Sequence, residues 1–196
     1  MGYNPKDFYF RKAKEQNFAA RSVFKLEEID DRFHVLKPGN KILDLGCAPG
    51  SWTQYASQKI GPKGFCIGID LAKVNLALTN ARFEQGDAFD EPTVARLAAE
   101  HSIELFDIVM SDMAPKTSGI RVQDQQRSFE LCSRALDVAK ARLRKGGHFI
   151  VKFFMSDEFD GYLKTLRPLF EKTEIIRPKS TRKASYEIFI VGLKKL

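Results

Sequence analysis

The chain has 196 residues, 43% of them hydrophobic, and a formal net charge of +7 at pH 7. That is the size of one ordinary domain with enough apolar residues for a packed core, so a single unit over residues 1–196 is expected, with no accessory domain. Cys47, Cys66 and Cys132 are widely spaced and form no C-x-x-C pair, which argues against a disulfide framework or a zinc site and suits the cytoplasm. No run approaches the ~18 apolar residues of a membrane span, and the first residues lack the apolar stretch of a signal peptide.

The charge is unevenly spread along the chain. Residues 1–25 hold six basic residues, Lys6, Arg11, Lys12, Lys14, Arg21 and Lys25, against Asp7 and Glu15. Residues 177–183 add Arg177, Lys179, Arg182 and Lys183 with no acid among them, leaving a nearly neutral body. Two basic segments on a neutral body suit a polyanion, and Phe8, Tyr9, Phe10 and Phe18 stand among the basic residues as stacking groups. The plainer reading of the same charges is a pair of solvated basic segments.

After the basic N-terminal segment, Ile42–Leu45 reads as a buried strand that breaks into the turn Gly46-Cys47-Ala48-Pro49-Gly50 and then into a helix from Ser51. Gly46 and Gly50 permit backbone conformations closed to other residues, so the turn can wrap a ligand at the end of a parallel strand. The spacing is not the G-x-G-x-x-G that seats a pyrophosphate on a helix N-terminus, which points away from a dinucleotide. Asp44 at the strand end suits a cation, and S-adenosylmethionine carries both a sulfonium and an ammonium group.

Alternating strands and helices follow, the signature of βαβ units. A helix over Trp52–Lys59 stops at Gly61, Phe65–Asp70 form a second strand ending in an acid, and Phe83–Phe89 hold a short strand and turn. Asp90 and Pro92 open a helix, and Leu105–Met110 form a central strand leading into Ser111-Asp112-Met113-Ala114-Pro115. Asp124 is placed as the N-cap of a long helix ended by Gly146-Gly147, and His148–Phe154 form a buried strand. A helix over Phe159–Leu169 and two closing strands, Glu174–Arg177 and Tyr186–Leu193, complete the pattern. No histidine has a partner at triad or metal-ligand spacing, and no metal is expected.

Four charged residues interrupt otherwise apolar surroundings: Lys25, Asp112, Lys152 and Glu187. Buried charge is expensive unless paired, and two lysines with two carboxylates balance one for one if they converge. Asp112 and Lys152 both fall at C-terminal strand ends, where α/β sheets bind ligands.

Taken together, Asp44-Leu45-Gly46-x-Ala48-Pro49-Gly50-x-Trp52, Ser111-Asp112-Met113-Ala114-Pro115, Val151-Lys152-x-Phe154 and Ser180-x-Arg182-x-x-Ser185-x-Glu187 resemble the FtsJ/RrmJ family of S-adenosylmethionine-dependent RNA 2′-O-ribose methyltransferases over nearly the full chain. The resemblance implies a Rossmann-like class I methyltransferase fold: a seven-stranded, mostly parallel α/β sheet with helices on both faces and the last strand antiparallel. It implies a catalytic tetrad at Lys25, Asp112, Lys152 and Glu187; the chemistry of a weakly acidic hydroxyl then suggests Lys152 as the group that takes the ribose proton, Lys25 as the charge that steadies the oxyanion, and Asp112 and Glu187 as the groups that fix the lysines. It implies that S-adenosylmethionine is held by Asp44, Gly46, Pro49, Gly50, Trp52, Asp70, Asp87 and Asp112, with Asp70 on its ribose and Asp87 on its adenine. The position of Asp70 stands independently, because an acid ending the second strand suits a nucleotide ribose diol.

Within that family the compact chain favours a uridine of large-subunit ribosomal RNA, methylated in the ribosomal particle by a monomeric enzyme. Lys6, Arg11, Lys12, Lys14, Arg21, Arg177, Lys179, Arg182 and Lys183 are the expected RNA contacts, with residues 1–21 contributing a basic arm. The alternatives are a tRNA anticodon-loop or mRNA-cap 2′-O-methyltransferase, or a non-catalytic RNA-binding ribosome assembly factor.

Overall fold

A computed structural model describes residues 8–115, 118–182 and 184–196. Two helices precede the sheet in a region where the sequence pattern assigned none: α1 (Phe8–Glu15) and α2 (Val23–Phe33). Helix α2 buries Val23, Phe24, Leu26 and Ile29, a stripe at helical spacing masked in the sequence by the acids between them. Then follow β1 (Lys41–Leu45), α3 (Ser51–Ile60), β2 (Phe65–Asp70), β3 (Ala81–Gln85), α4 (Glu91–Glu100) and β4 (Phe106–Ser111). Helix α5 (Arg121–Arg142), β5 (Leu143–Phe154), α6 (Phe159–Leu166), β6 (Phe170–Ile176) and β7 (Glu187–Lys195) complete the order, with a single 3₁₀ turn at Arg167–Leu169.

The seven strands form one sheet in the order β3-β2-β1-β4-β5-β7-β6. All neighbours are parallel except β7, which runs antiparallel to both β5 and β6. Side chains alternate between the faces, and each face carries its own core. One packs Leu43, Val109, Phe149 and Ile190 against Leu97, Leu136, Tyr162 and Leu166 of α4, α5 and α6. The other packs Ile42, Ile108, Ile150 and Phe189 against Phe24, Ile29, Tyr55 and Ile60 of α2 and α3. Tyr9 and Phe18, expected as stacking groups for a ligand, instead lean on Phe24 of this second core at 5.5 and 6.5 Å between ring centroids. Their apolar area is worth more inside the protein than in water.

Two boundaries differ from the sequence pattern for identifiable reasons. Asp124 lies inside the first turn of α5, which starts at Arg121, and its carboxylate accepts from the Ser118 amide and hydroxyl at 2.7 and 2.9 Å. Its side chain fastens the loop before the helix. The helix ends at Arg142, and Gly146 and Gly147 lie within β5. A Cβ at Gly147 would stand 2.8 Å from the Asp107 carbonyl, so the glycine serves a close approach of β5 to β4 where their register shifts. The cap expected from the glycines comes from Lys195, whose ammonium donates to the carbonyls of Ala139, Lys140 and Leu143 at 3.3, 2.6 and 2.8 Å. No described helix is long and apolar enough to cross a membrane.

Candidate active site

The turn after β1 folds as its glycines require. Gly46 and Gly50 take φ of 73° and 102°, in the region that side chains avoid. A Cβ on Gly46 would fall 2.0 Å from Cγ of Met113, so the loop after β4 packs directly over this glycine. Gly50 lies against Leu76 and Val74 and thereby seats the segment that follows β2.

Gly46 borders a cavity of about 680 Å³ at the C-terminal edge of β1, β2 and β4. Asp70, Asp87, Phe89, Met113, Pro115 and Arg134 are among its walls. This is the volume of a small-molecule site, mostly apolar with a few polar groups. The Asp70 carboxylate accepts from the Ala48 and Ala72 amides at 2.9 and 2.7 Å, joining the glycine turn to the β2 exit. Asp87 faces Arg134 at 3.3 Å, and the Arg134 guanidinium also lies 4.1 Å over the Phe89 ring. Phe89, Met113 and Arg134 were not singled out in the sequence, because only the fold brings α5 and the β4 exit over this edge.

On the opposite side of Gly46 a much smaller polar cavity is bounded by Asp44, Asp112, Trp52 and Ser22. Asp44 is 1% exposed and accepts from the Thr53 hydroxyl at 2.6 Å. Burial pushes its carboxyl up to about 7, the Thr53 hydrogen bond opposes this, and the charges of Asp112 and Asp70 add to the rise. A cation placed there would reverse the effect. Trp52 is buried, with its indole donating to the Ser22 carbonyl at 2.9 Å and its ring 5.6 Å from Phe189. It ties α3 to the start of α2. Pro49, in the turn itself, follows a cis peptide bond.

Lys25, Asp112, Lys152 and Glu187 converge from four separate elements. Lys25 lies in the first turn of α2, Asp112 directly follows β4, Lys152 is in β5, and Glu187 opens β7. Strand register places them together: Ser111 pairs with Val151, and Phe154 pairs with Glu187. Side-chain alternation puts Lys152 on the face of Ile150 and Phe189, the face covered by α2. The apolar core of that face thus turns ionic where it reaches the sheet edge.

Lys25 Nζ stands 2.6 Å from Glu187 and 3.6 Å from Asp112, and Lys152 Nζ stands 3.0 Å from the same Asp112 oxygen. Lys152 also donates to the Asp112 carbonyl at 2.5 Å. The result is a row of alternating charges, Glu187, Lys25, Asp112, Lys152, with side chains only 6–18% exposed. Burial disfavours the Lys25 charge, but Asp112 and Glu187 outweigh it and hold the ammonium above its ordinary value. Lys25 is therefore a fixed positive charge, and Lys152, bonded to Asp112 alone among the tetrad acids, reaches the outer end of the row.

The expected RNA contacts are more scattered. Arg11, Lys14, Lys179 and Arg182 are exposed, whereas Lys12 packs 4.2 Å over the Phe24 ring and pairs with Glu27 at 3.5 Å. Arg21 and Arg177 donate to the carbonyls of Ser180 and Ser185, bracing the loop before β7. Lys6 and Lys183 lie outside the described residues. Among the described residues no group of acids, histidines and cysteines could hold a metal ion.

A seven-stranded sheet with an antiparallel strand inserted beside its last parallel one, a glycine turn after β1 and a cavity at the C-terminal edge define a Rossmann-like fold of the methyltransferase class. The architecture is shared with fibrillarin of Aeropyrum pernix, solved with natively bound S-adenosyl-L-methionine, at a TM-score of 0.57 and 21% identity over 81% of this chain and 68% of that one.

The chain belongs to the FtsJ-like methyltransferase family, whose model matches residues 18–195. It is 56% identical, over the whole of both chains, to the ribosomal RNA large subunit methyltransferase E of Bdellovibrio bacteriovorus. A Plasmodium falciparum crystal structure assigned as a ribosomal RNA methyltransferase superposes with a TM-score of 0.81 at 27% identity, covering 91% of this chain and 99% of that one.

Proposed function

We propose that the chain transfers a methyl group from S-adenosylmethionine to the 2′-hydroxyl of a ribose in large-subunit ribosomal RNA, with a uridine in the ribosomal particle as the acceptor. The observation that carries this reading is the four-residue ionic row beside a cavity of small-molecule size. The names of the relatives supply the RNA.

The residues around Gly46 fit the cofactor. The buried Asp44 carboxyl, raised to about 7 with no cation present, suits a positively charged group. Asp70 and Asp87 offer carboxylates to a ribose diol and a purine amine, and Phe89, Met113 and Pro115 offer apolar surface. When bound, S-adenosylmethionine supplies a methyl group already activated by its sulfonium.

The tetrad then serves the acceptor. Lys152 Nζ, acting as a free amine, takes the proton of the 2′-hydroxyl as that oxygen bonds to the methyl carbon and the carbon–sulfur bond breaks to leave a neutral thioether. Asp112 holds Lys152 through both its carboxylate and its carbonyl, which fixes the Nζ position to within a hydrogen bond. Lys25, kept charged by its two carboxylates, steadies the negative charge that grows on the oxygen. Glu187 locks Lys25 in place. Alignment of donor and acceptor contributes on the order of 7–11 kcal/mol in well-oriented cases, so positioning does most of the work. Arg11, Lys14, Lys179 and Arg182 form the approach for the RNA backbone, and the enzyme acts as a cytoplasmic monomer.

The test is methyl transfer from labelled S-adenosylmethionine to undermethylated large subunits, free ribosomal RNA and bulk tRNA. Label confined to the large subunit, and on a ribose, is the expected result. Label in tRNA would replace the substrate, and no label in any RNA, with the cofactor still bound, would replace the enzyme by an assembly factor.

A further inference from the structure

A third cavity, of about 290 Å³, adjoins the tetrad and shares Lys25 and Glu187 with it. The rest of its wall is Arg21, Arg182 and three serines, Ser22, Ser180 and Ser185. Three cations thus face one carboxylate, and Glu187 is engaged by Lys25 at 2.6 Å. Burial and then the nearby Arg182 charge lower the proton affinity of Arg21, with Glu187 opposing, so the two guanidinium groups act on each other as like charges. An anion between them relieves that repulsion.

The serines differ in a telling way. Ser22 shares a hydrogen bond with Ser51 at 2.9 Å, and Ser185 accepts from the Glu187 amide at 3.3 Å. Ser180 is 1% exposed and its hydroxyl has no hydrogen-bond partner among the described residues. Buried hydroxyls are costly in that state. The backbone around Ser180 is nonetheless firmly held. Glu28 of α2 accepts from the Lys179 and Ser180 amides at 2.6 and 2.9 Å, and Arg21 donates to the Ser180 carbonyl. These bonds fix the main chain, and of the cavity's three serine hydroxyls only that of Ser180 is left without a partner among the described residues.

We propose that this cavity seats one backbone phosphodiester of the RNA strand, hydrogen-bonded by Ser180 Oγ and paired with Arg182, with Arg21 behind. The proposal rests on the RNA reading above and deepens it. Because Lys25 and Glu187 belong both to the tetrad and to the wall of this cavity, a phosphate held here fixes the register of the strand against the tetrad and sets which ribose along the strand reaches Lys152. Phosphate contacts position a strand without reading its sequence, so the seat sets the spacing between a bound phosphate and the reacting ribose, and the choice of nucleotide falls to other contacts.

The test uses the full chain with Arg182→Gln and Ser180→Ala. Inorganic phosphate is titrated while the arginine side-chain Nε–H signals are followed by NMR, and RNA binding and methyl transfer are measured over a range of salt. The expected result is a saturable shift of the Arg21 and Arg182 signals, weakened several-fold in Ser180→Ala. In methyl transfer, each variant raises the KM for RNA at least about five-fold with kcat within about two-fold. For Arg182→Gln the slope of log binding constant against log salt becomes shallower by about 0.7–0.9, the value of one phosphate contact, and for Ser180→Ala it is unchanged. A wild-type slope in Arg182→Gln, or arginine signals indifferent to phosphate, overturns the seat while leaving methyl transfer intact. Phosphate binding without any change in RNA binding assigns the cavity to free phosphate and also overturns it. Loss of transfer to every RNA, with the cofactor still bound, instead overturns the RNA reading on which the seat depends.

Discussion

The two sides of Gly46 are built on opposite principles. Toward β2 and β3 lies an open cavity of about 680 Å³ whose carboxylates, Asp70 and Asp87, already hold backbone amides or a surface arginine. Toward β5 and β7 lies a packed ionic row whose four charges neutralise one another with little access to water. The first side is shaped for a ligand and holds few charges that need one. The second is complete without any ligand, so its geometry is fixed before a substrate arrives. An enzyme that depends on alignment gains from this division: the cofactor side can admit and release its ligand while the tetrad side keeps its atoms in place.

The comparison breaks most sharply at Lys152. Lys152→Ala is expected to lower kcat by about 10²–10⁴-fold, the range for loss of a positioned proton acceptor, with cofactor affinity unchanged by calorimetry. Lys152→Arg should not rescue it, because guanidinium does not give up its proton at ordinary pH.

Next comes Lys25, whose removal leaves Asp112 and Glu187 as uncompensated neighbours. Lys25→Met is expected to destabilise the fold by about 3–5 kcal/mol in urea unfolding, the usual cost of breaking a buried pair from one side. The double variant Lys25→Met/Glu187→Gln should lose less than the sum of the two single changes, which a double-mutant cycle measures.

The cofactor side should yield in affinity and leave turnover alone. Asp70→Asn is expected to weaken S-adenosylmethionine binding by about 10–100-fold, the worth of a hydrogen bond to a charged group, with kcat preserved at saturation. An equal fall in kcat would mean that the two sides are mechanically coupled.

The last effect concerns pH. The Asp44 carboxyl is raised from 3.8 to about 7 in the folded chain, so between those values the folded state holds a proton that the unfolded state has lost. Folding stability contributed by this group is therefore greatest at low pH and falls as pH rises toward 7, by at most about 1.4 kcal/mol per pH unit. A cationic ligand reverses the sign for binding: cofactor affinity should rise with pH up to about 7 and then level off. Asp44→Asn should flatten that profile, as isothermal titration across pH 5.5–8 would reveal.

Much of the site could be read without coordinates because its residues break local rules. Lys152 interrupts an apolar strand, Asp112 and Asp70 end strands, and Gly46 and Gly50 bound a turn; each is a short-range irregularity visible in sequence. The α/β alternation was legible for the same reason, since periods of two and of 3.6 are local properties. What escaped depended on distant partners. Helix α2 was hidden because four acids stand between its apolar residues, and only packing on α3 and the sheet shows which face matters. Asp124 has the chemistry of an N-cap, but Ser118 claims its carboxylate. Gly146 and Gly147 look like a helix stop, yet Lys195, far along the chain, closes α5. Met113 over Gly46 and the unpartnered Ser180 hydroxyl likewise arise from contacts between segments that no spacing reveals.

Strand β7 is the last in sequence but lies between β5 and β6, with Glu187 at its start and Lys195 at its end. A ribosome making this protein therefore releases the keystone of the sheet after everything around it. Until residues 187–195 emerge, β5 and β6 have no strand between them, α5 lacks its Lys195 cap, and Lys25 has one carboxylate in place of two. The strand that closes the sheet also completes the ion row, so the fold and the site are joined through one segment.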